Sequence, residues 1–364
     1  MTFVNAHDQL SQKFLDQGEF FFTESVEGDI LTFRPFTLLS ISPFIQACQA
    51  LGLSIRVYCG QTYLVRDKLL PSKEVILLTG HFRQISWYDQ ESGRVRIEPG
   101  VTPQLLNQTF AQEGWMCPLE MASAGVAGMA GCLSTQAKGY HQTSLSFYRC
   151  FSSAKLIDWS GKSCELSAEH LCGTEGNLGV IVELELQLIR KPAKRLAICI
   201  KVEWLQILAH LTLLQQTPTL VSLVWSDEDK ELFYLVLQGE EWRVKAAWQC
   251  IQHLYPQAIL LRSNWILWID PPQQSLFTKM QVAVPLKHLM NTMSLLYQLC
   301  DELKLACDLW VNILESSLHF ILTSSSPELF ATQVEEFLKR WSCILEDYQG
   351  CILHQSPFER GCKE

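Results

Sequence analysis

Cys117-Pro-Leu-Glu-Met-Ala-Ser-Ala-Gly-Val-Ala-Gly-Met-Ala-Gly-Cys-Leu-Ser-Thr-Gln-Ala-Lys-Gly139 carries four glycines among mostly small, uncharged residues. Helices and strands rarely need so many residues without side chains, whereas glycine is favoured where φ is positive or where a ligand approaches the backbone closely. A second segment of this kind, Gly173-Thr-Glu-Gly-Asn-Leu-Gly-Val-Ile181, leads into an alternating apolar strand. Two such loops near the middle of one chain predict a single large ligand held by main-chain amides.

The composition is that of an ordinary folded protein. The 364 residues are enough for two domains, and 48% hydrophobic with 18% charged residues allow a sizeable core. The net charge of -9, without any run of Lys and Arg, argues against a nucleic-acid surface. We therefore expect no nucleic-acid partner.

The cysteines and the N-terminus indicate the compartment. The 14 cysteines include no CxxC pair, and Met1–Asp8 has neither the basic flank nor the apolar core of a signal peptide. No apolar run approaches the roughly 20 residues that a bilayer-spanning helix needs. These features predict reduced thiols, a cytoplasmic location and no integral membrane segment.

The first half of the chain alternates strands and helices. A partly helical lead-in covers 1–28, and a helix is predicted over Ser42–Leu51, with Ser42 as its N-cap and Gly52 just past its end. Another helix follows Pro99-Gly100. Strands are predicted at 30–33, 54–58, 75–78, 94–98, 152–158 and 180–189.

The segment Arg190–Arg195, basic and broken by a proline, is the predicted domain boundary. Beyond it, helices are predicted at 204–214, 242–255, 294–303 and 327–345. Strands are predicted at 196–202, 220–225, 231–238, 265–269, 309–314 and 318–323. This order predicts helices on one face of an antiparallel sheet.

Four blocks of the sequence follow one another in a distinctive order. Gly52–Tyr63 is a turn after a βα unit, and Val95–Val101 is a strand with a Pro-Gly turn. Gly114–Gly125 with Ala130–Gly139, and then Cys172–Ile181, are the glycine-rich loops. Together the blocks resemble the FAD-binding domain of the vanillyl-alcohol oxidase (PCMH-type) family: its pyrophosphate loop, the entry to its second subdomain, its central flavin-cradling loop and its Gly-Ser-Glu-Gly-Thr-Leu-Gly-Val-Ile block.

The resemblance implies a fold and a cofactor. It extends over about 32–192 and is greatest to the 2-hydroxy-acid branch, above all to the FAD-binding small subunit of glycolate oxidase. The implied fold class is α+β. A two-subdomain PCMH-type FAD-binding domain at 29–193 (subdomains about 29–94 and 95–193) would precede an α+β cap-like domain at 194–364, which has an antiparallel sheet and a C-terminal helix. FAD would lie between the subdomains, its diphosphate held by amides of the loops.

Carried over position by position, the resemblance also implies the residues that contact FAD. In the pyrophosphate turn these are Tyr58, Cys59, Gly60, Gln61 and Thr62. In the central loop they are Pro118, Ser123, Gly128, Met129, Gly131, Cys132, Ser134, Thr135 and Gly139. In the last block they are Gly173, Glu175, Gly176, Gly179, Val180 and Ile181. Val180 and Ile181 would place main-chain groups against the flavin ring, and Glu175 either organises its loop or is an ordinary turn residue.

Three positions of the pyrophosphate turn depart from the family's pattern. Cys59, Gln61 and Tyr63 stand where the family prefers glycine, glycine and serine. A Cβ at a position of positive φ would cost roughly 1–2 kcal/mol. Such a turn fits two interpretations: a diverged enzyme, or a relative that has lost most of its affinity for flavin.

The residues for substrate chemistry are less clearly marked. His141 follows the flavin loop and is the candidate catalytic base, with a structural histidine as the competing interpretation. Arg262, Lys279 and Lys287 are possible partners of a substrate carboxylate. No histidines stand at metal-ligand spacing, so no metal site is predicted. Cys117 beside Pro118 is either a flavin tether or, as we favour, a plain loop thiol.

These observations predict an FAD-dependent oxidoreductase, a flavoprotein acting on the CH–OH group of a small 2-hydroxy acid of the glycolate or D-lactate type. It would work as a complex subunit and pass electrons to a partner subunit or another electron acceptor. The alternative is a flavin-poor, non-catalytic relative that acts as a scaffold or complex subunit. A nucleotide-binding regulator without redox function is a third interpretation.

Overall fold

A computed structural model of the chain describes residues 3–23, 29–60, 73–121, 123–137, 149–227, 232–261, 276–355 and 359–360. Outside these ranges lie several of the residues named above: Gln61, Thr62, Tyr63, Gly139, His141 and Arg262. The chain divides into two compact units, Met1–Lys191 and Pro192–Glu364. The division falls within the segment Arg190–Arg195.

The first unit begins with a small sheet and two helices. Its elements are α1 (Phe3–Phe14), β1 (Gly18–Thr23), β2 (Ile30–Pro35), α2 (Ile41–Ala50), β3 (Ser54–Tyr58) and β4 (Glu74–Leu78). The strand order is β1-β2-β4-β3, in which β2 and β3 run parallel to β4 and β1 runs antiparallel to β2. Phe14, Phe33 and Phe44 pack ring against ring, with the Phe33 and Phe44 centroids 4.3 Å apart. This core supports β3, whose carboxyl end leads directly into Cys59 and Gly60.

A second, antiparallel sheet completes the first unit. Its elements are β5 (Ile85–Asp89), β6 (Arg94–Ile97), α3 (Pro103–Phe110), β7 (Trp115–Met116), α4 (Met129–Ser134), β8 (Phe151–Asp158), β9 (Ser163–Ser167), α5 (Ala168–Leu171), β10 (Gly179–Gln187) and β11 (Ile189–Arg190). The strand order is β5-β6-β10-β8-β9, while β7 and β11 form a separate short ladder. Helices α3 and α4 pack on this sheet and bury Leu106, Phe110 and Leu133.

Strands β8 and β10 contribute side chains to two hydrophobic cores. Val180 pairs with Ile157, and both belong to the core around α1 and α2. Ile181 pairs with Leu156, and both belong to the core around α3 and α4. Because successive residues of a strand point to opposite faces, the second sheet separates the two cores and contributes to each of them.

The same sheet buries a carboxylate. Glu185 is 7% exposed and accepts hydrogen bonds from Arg96 (2.8 Å), from the Ser152 hydroxyl (3.0 Å) and from Arg94. Burial alone would raise the pKa of Glu185. The hydrogen bonds from Arg96, Ser152 and Arg94 together lower the pKa by more than burial raises it, so the pKa lies below its ordinary value. The network links β6, β8 and β10.

The second unit is one broad sheet covered by helices. Its elements are β12 (Lys194–Lys201), α6 (Trp204–Gln215), β13 (Leu220–Ser226), β14 (Leu232–Gly239), α7 (Glu241–Leu254), β15 (Ile259–Leu260), β16 (Leu276–Ala283), α8 (Leu289–Leu303), β17 (Ala306–Asn312), β18 (Ser317–Thr323), α9 (Pro327–Asp347), β19 (Cys351–Gln355) and β20 (Glu359–Arg360). The strand order is β15-β12-β14-β13-β17-β18-β16-β19, with β20 also paired to β16 and every pair antiparallel.

Helices α6 to α9 lie on one face of this sheet. All of them contribute to a single core together with alternate residues of the strands, for example Phe320 of β18 against Trp341 of α9, with ring centroids 6.0 Å apart. The predicted α+β fold class, with helices on one face of an antiparallel sheet, is confirmed. Among the described residues, no helix combines the length and the apolar character needed to cross a bilayer.

Several local predictions need correction. The strands β1, β5, β7, β9, β15, β16, β19 and β20 were not predicted. The N-cap assigned to Ser42 is wrong, because α2 begins at Ile41 after a 3-10 turn, and the Ser42 hydroxyl donates instead to the Gly161 carbonyl at 2.5 Å. Gly52, with φ +70°, does end α2 as predicted. The strand predicted at 265–269 lies outside the described residues.

Candidate cofactor site

The turn after β3 packs closely against the central loop. A Cβ added at Gly60 would lie 2.4 Å from the Val126 carbonyl oxygen and 2.8 Å from the Gly128 nitrogen. A Cβ added at Gly128 would lie 2.2 Å from the Cys59 sulfur. Real Cβ atoms do not come this close to their neighbours, so both positions require glycine for the approach of the two segments.

Close approach, and not a left-handed backbone, explains these glycines. Gly128 has φ -79° and ψ 141°, and neither Cys59 nor Gly60 has a positive φ. The expectation that Cys59 pays about 1–2 kcal/mol for a Cβ in the left-handed region is therefore wrong. An ordinary backbone conformation accepts the cysteine side chain without strain.

Helix α4 is the element around which the predicted blocks meet. The main-chain N–H groups of Met129 and Ala130 donate to the carbonyl oxygens of Val101 (2.8 Å) and Pro99 (3.1 Å). These bonds join the central loop to the Pro-Gly turn that follows β6. Because Gly60 packs on the residues just before α4, three of the four blocks are in contact at this end of the helix.

The fourth block is bonded to the opposite end of α4. The Gly173 N–H donates to the Leu133 carbonyl at 3.3 Å, and the Glu175 N–H donates to the Ser134 carbonyl at 2.9 Å. Gly173, Glu175 and Gly176 have φ values of +73°, +52° and +83°. All three residues therefore have left-handed backbone conformations, which the two glycines adopt without strain. The four blocks therefore meet around one short helix.

Gly179 closes this loop at the start of β10. Its φ is +143°, and a Cβ there would lie 2.3 Å from the Ile157 carbonyl oxygen. The next two residues, Val180 and Ile181, are 0% and 7% exposed and belong to the cores described above. Any contact that they make with a ligand must therefore come from their main chain.

Most side chains of the central loop also point into the protein. Pro118, Met129 and Cys132 are buried. The hydroxyls of Ser134 and Thr135 donate to the carbonyl oxygens four residues earlier, at 2.6 and 2.8 Å. These five side chains are therefore packed or hydrogen-bonded within the protein.

Tyr58 and Ser123 are half-buried at the edges of these segments. The Tyr58 carbonyl accepts a hydrogen bond from the Thr79 N–H at 2.9 Å, and burial raises the pKa of the Tyr58 phenol. The Ser123 carbonyl accepts from the N–H groups of Val126 (2.9 Å) and Ala127 (2.8 Å), which makes the loop a tight turn before α4.

The residues present fit FAD. A Cβ at Gly131 would meet nothing closer than 3.8 Å, and one at Gly176 would meet nothing within 4 Å, so there is space beside both residues. The apolar side chains of Val126 and Leu178 are 55% and 41% exposed. Space beside glycine suits the close approach of a diphosphate, and exposed apolar groups suit the faces of aromatic rings.

Two further glycines that support the turn were not predicted as site residues. A Cβ at Gly80 would lie 2.3 Å from the Cys59 carbonyl oxygen, and one at Gly100 would lie 2.3 Å from the Gly80 carbonyl oxygen. In the sequence, Gly80 is a single glycine after a strand, and Gly100 belongs to a Pro-Gly pair. Neither pattern identifies a site residue, because the segments come close together only in the folded unit.

Cys117 is an enclosed structural thiol. It is fully buried, its N–H donates to Asn107 Oδ1 at 2.7 Å, and the Leu119 N–H donates to its sulfur at 3.5 Å. Burial raises the pKa of Cys117 to about 12. A neutral thiol in this position packs as a small apolar group, which favours the plain loop thiol over the flavin tether.

In the second unit, two candidate polar residues share one face of the sheet. Leu318 and Phe320 of β18 point into the helix-covered core, so His319 lies on the opposite face. Lys279 of β16 lies on that face too, because Met280 is in the core. Lys287, in contrast, stands on a 3-10 turn before α8, and Arg262 lies outside the described residues.

His319 is held in a defined orientation. Its Nε2 lies 3.0 Å from the Ser317 hydroxyl and 3.4 Å from Gln281 Nε2, and its ring stacks on Trp310 with centroids 5.1 Å apart. Lys279 stands two residues before Gln281, the residue that pairs with His319 across the strands. The described part of the chain holds no group of three or more His, Cys, Asp or Glu residues that could bind a metal ion.

Comparisons with known proteins agree with this site. Residues 31–167 match the family model described as FAD binding domain. The putative mitochondrial D-lactate dehydrogenase of Schizosaccharomyces pombe is 26% identical over 176 residues, which cover 45% of this chain and 34% of that protein. The mitochondrial D-2-hydroxyglutarate dehydrogenase of Arabidopsis thaliana is 24% identical over 169 residues, 43% of this chain and 30% of that protein. The match thus spans about a third of the length of these relatives.

The fold has a counterpart among solved structures. The structure of p-cresol methylhydroxylase with substrate bound aligns with a TM-score of 0.74 over 97% of this chain and 89% of that chain, at 10% sequence identity. This likeness shows the fold, and together with the family match it confirms the resemblance inferred from the four sequence blocks. Residues 31–167 thus match the FAD binding domain family, and the chain has a fold like that of p-cresol methylhydroxylase.

Proposed function

We propose that this chain binds FAD and oxidises a small 2-hydroxy acid to the corresponding 2-oxo acid. The observation that carries the proposal is the meeting of the four sequence blocks around α4, with space beside the glycines Gly131 and Gly176. Such a cradle suits a diphosphate. The reaction class is supported by the relatives, which are named as dehydrogenases of D-lactate and D-2-hydroxyglutarate.

The protein would bind the reactants, and one of its side chains would accept the hydroxyl proton. FAD, when bound, supplies the two-electron acceptor for the oxidation. Conversion of the hydroxy acid to the oxo acid releases two electrons and two protons, so a side chain must take up the hydroxyl proton while a cation holds the carboxylate. His141 remains the predicted base, although it lies outside the described residues.

The second unit holds one of the sequence candidates for the carboxylate partner. Lys279 carries a positive charge and lies on the face of the sheet opposite the helix-covered core. We keep Lys279 as a predicted partner of the substrate carboxylate.

The finer parts of the proposal concern substrate, partner and compartment. We propose an acid of the glycolate or D-lactate type as the substrate, in keeping with the relatives named for D-lactate and D-2-hydroxyglutarate. The role as a complex subunit remains a prediction from the family resemblance. Electrons would pass to a partner subunit or to another acceptor, and the cytoplasm remains the predicted location.

A non-catalytic role is the second candidate. The turn after β3 carries Cys59, Gln61 and Tyr63 where the family prefers glycine, glycine and serine. A chain that kept the fold but lost its affinity for FAD would serve as a scaffold or a complex subunit. This candidate predicts a folded protein without flavin.

The visible spectrum of the purified protein tests both candidates. We expect flavin absorption bands in the protein as isolated or after incubation with FAD and removal of the excess. Anaerobic addition of glycolate, D-lactate or D-2-hydroxyglutarate should then bleach the bands. A protein that shows no flavin band after reconstitution refutes FAD binding, and a flavoprotein that none of the three acids bleaches refutes the proposed substrate class.

A further inference from the structure

Cys59 makes close contacts with the Pro-Gly turn after β6 and with the central loop. Its thiol donates to the Pro99 carbonyl at 3.3 Å. Its sulfur would be 2.2 Å from a Cβ at Gly128, and its own Cβ would be 3.8 Å from a Cβ at Gly131. The cysteine side chain therefore fills the space that two glycines of the central loop leave beside β3.

The thiol acts here as a neutral donor. Burial raises the pKa of Cys59, and hydrogen bonds from Thr79 and from the Gly131 main chain oppose that rise only in part. A protonated thiol can donate, as the contact with Pro99 requires, whereas a thiolate cannot. The same burial makes Cys59 a poor nucleophile, so packing and hydrogen bonding account for its role.

We propose that Cys59 is a positioning residue, which holds the pyrophosphate turn against the central loop in the geometry that accepts FAD. This inference rests on the proposed binding of FAD. The family's preference for glycine at this position predicts the opposite, namely that glycine would improve the turn. Here glycine would remove the bond to Pro99, leave a gap beside Gly128 and increase the backbone freedom of the turn.

Titration of the full-length apo-protein with FAD, followed by quenching of flavin fluorescence, tests the inference. Cys59→Gly should raise the Kd for FAD about tenfold, which corresponds to ~1.4 kcal/mol. Cys59→Ser retains a donor and should lose less affinity than Cys59→Ala. Cys48→Ala removes a fully buried thiol from α2 in the same unit and is the matched control. It should lower the thermal unfolding midpoint but leave the Kd within about twofold, because distant sites act independently.

A pair of glycine variants tests the contact itself. Gly128→Ala would place its Cβ 2.2 Å from the Cys59 sulfur, so adding Cys59→Ala should restore part of the lost unfolding midpoint. The restoration stays partial because the same Cβ lies 2.9 Å from the Pro99 carbonyl oxygen. Gly52→Ala, at the other end of β3 from Cys59 and with nothing within 4 Å of its added Cβ, is the control, and its effect should add to that of Cys59→Ala.

The results distinguish a failure of the role proposed for Cys59 from a failure of FAD binding itself. Weaker FAD binding by Cys59→Gly, with coupling between positions 59 and 128 but not between 59 and 52, supports the inference. A Cys59→Gly variant that binds FAD as tightly as the unchanged chain, or more tightly, overturns it, and so does simple additivity at 59 and 128. If the unchanged chain binds no FAD, its spectrum shows that the proposed function has failed, and the inference falls with it.

Discussion

Alanine at position 60 should force the pyrophosphate turn away from the central loop. The added Cβ would lie 2.4 Å from the Val126 carbonyl oxygen, 2.8 Å from the Gly128 nitrogen and 2.9 Å from the Ala127 Cα. All three are main-chain atoms, which cannot rotate aside as a flexible side chain can. The two segments must separate by about 1 Å to reach ordinary contact distances. Overpacking of this kind costs about 1–3 kcal/mol.

Two measurements follow for Gly60→Ala. In thermal unfolding, the midpoint of the first unit should fall by several degrees, because each kcal/mol lowers the midpoint of a domain of this size by about 2–4 °C. In FAD titration, the Kd should rise at least about tenfold, since the bound state needs the turn closed on the loop. Gly52→Ala is the control: Gly52 has φ +70° and nothing within 4 Å, so it should lose stability through strain alone and keep its Kd. Unchanged midpoint and Kd in Gly60→Ala would refute the reasoning.

Three further results are expected. Because its hydrogen bonds hold the pKa of Glu185 below the ordinary 4.5, its carboxylate stabilises the fold above that pH and loses the effect as the pH falls. Glu185→Gln should therefore lower the free energy of unfolding by about 1–3 kcal/mol at pH 7 and by much less near pH 3, as denaturant titrations at the two pH values would show. Acid precipitation should release all flavin from the unchanged chain and from Cys117→Ser alike, and flavin retained on the pellet only when Cys117 is present would contradict a structural thiol. Lys279→Gln should raise the KM for the 2-hydroxy acid about tenfold or more and leave the Kd for FAD unchanged, and a change in the Kd alone would argue against a carboxylate contact.

The glycine spacing marks segments that the structure brings together, because close steric approach requires particular residues. Gly60 and Gly128 cannot carry a Cβ where they lie, and Gly179 cannot carry one against β8. A chain that needs these contacts must show glycine at these positions, so the pattern is visible without a structure. The α+β fold class followed from the same blocks and from the order of the strands and helices.

Other features depend on tertiary contacts that no local pattern encodes. Ser42 has the residue type and position of a helix N-cap, yet its hydroxyl bonds to Gly161, which is distant in the chain. The edge strand β9 alternates polar residues with Cys164 and Leu166, which pack on the core, but two apolar positions in five residues are too few to predict a strand. At Cys59 the sequence indicated strain, whereas the neighbouring glycines make room for the side chain.

The strand β10 has a further consequence for how the first unit loses its structure. Neighbouring residues of this strand, Val180 and Ile181, are buried in different cores. Because both cores depend on this strand, we expect them to unfold together in one cooperative event and not as separate foldons. Amide hydrogens along β8 and β10 should then exchange at a common, slow rate set by global unfolding. The loop that ends at Gly179 would keep its attachment to the strand until that event.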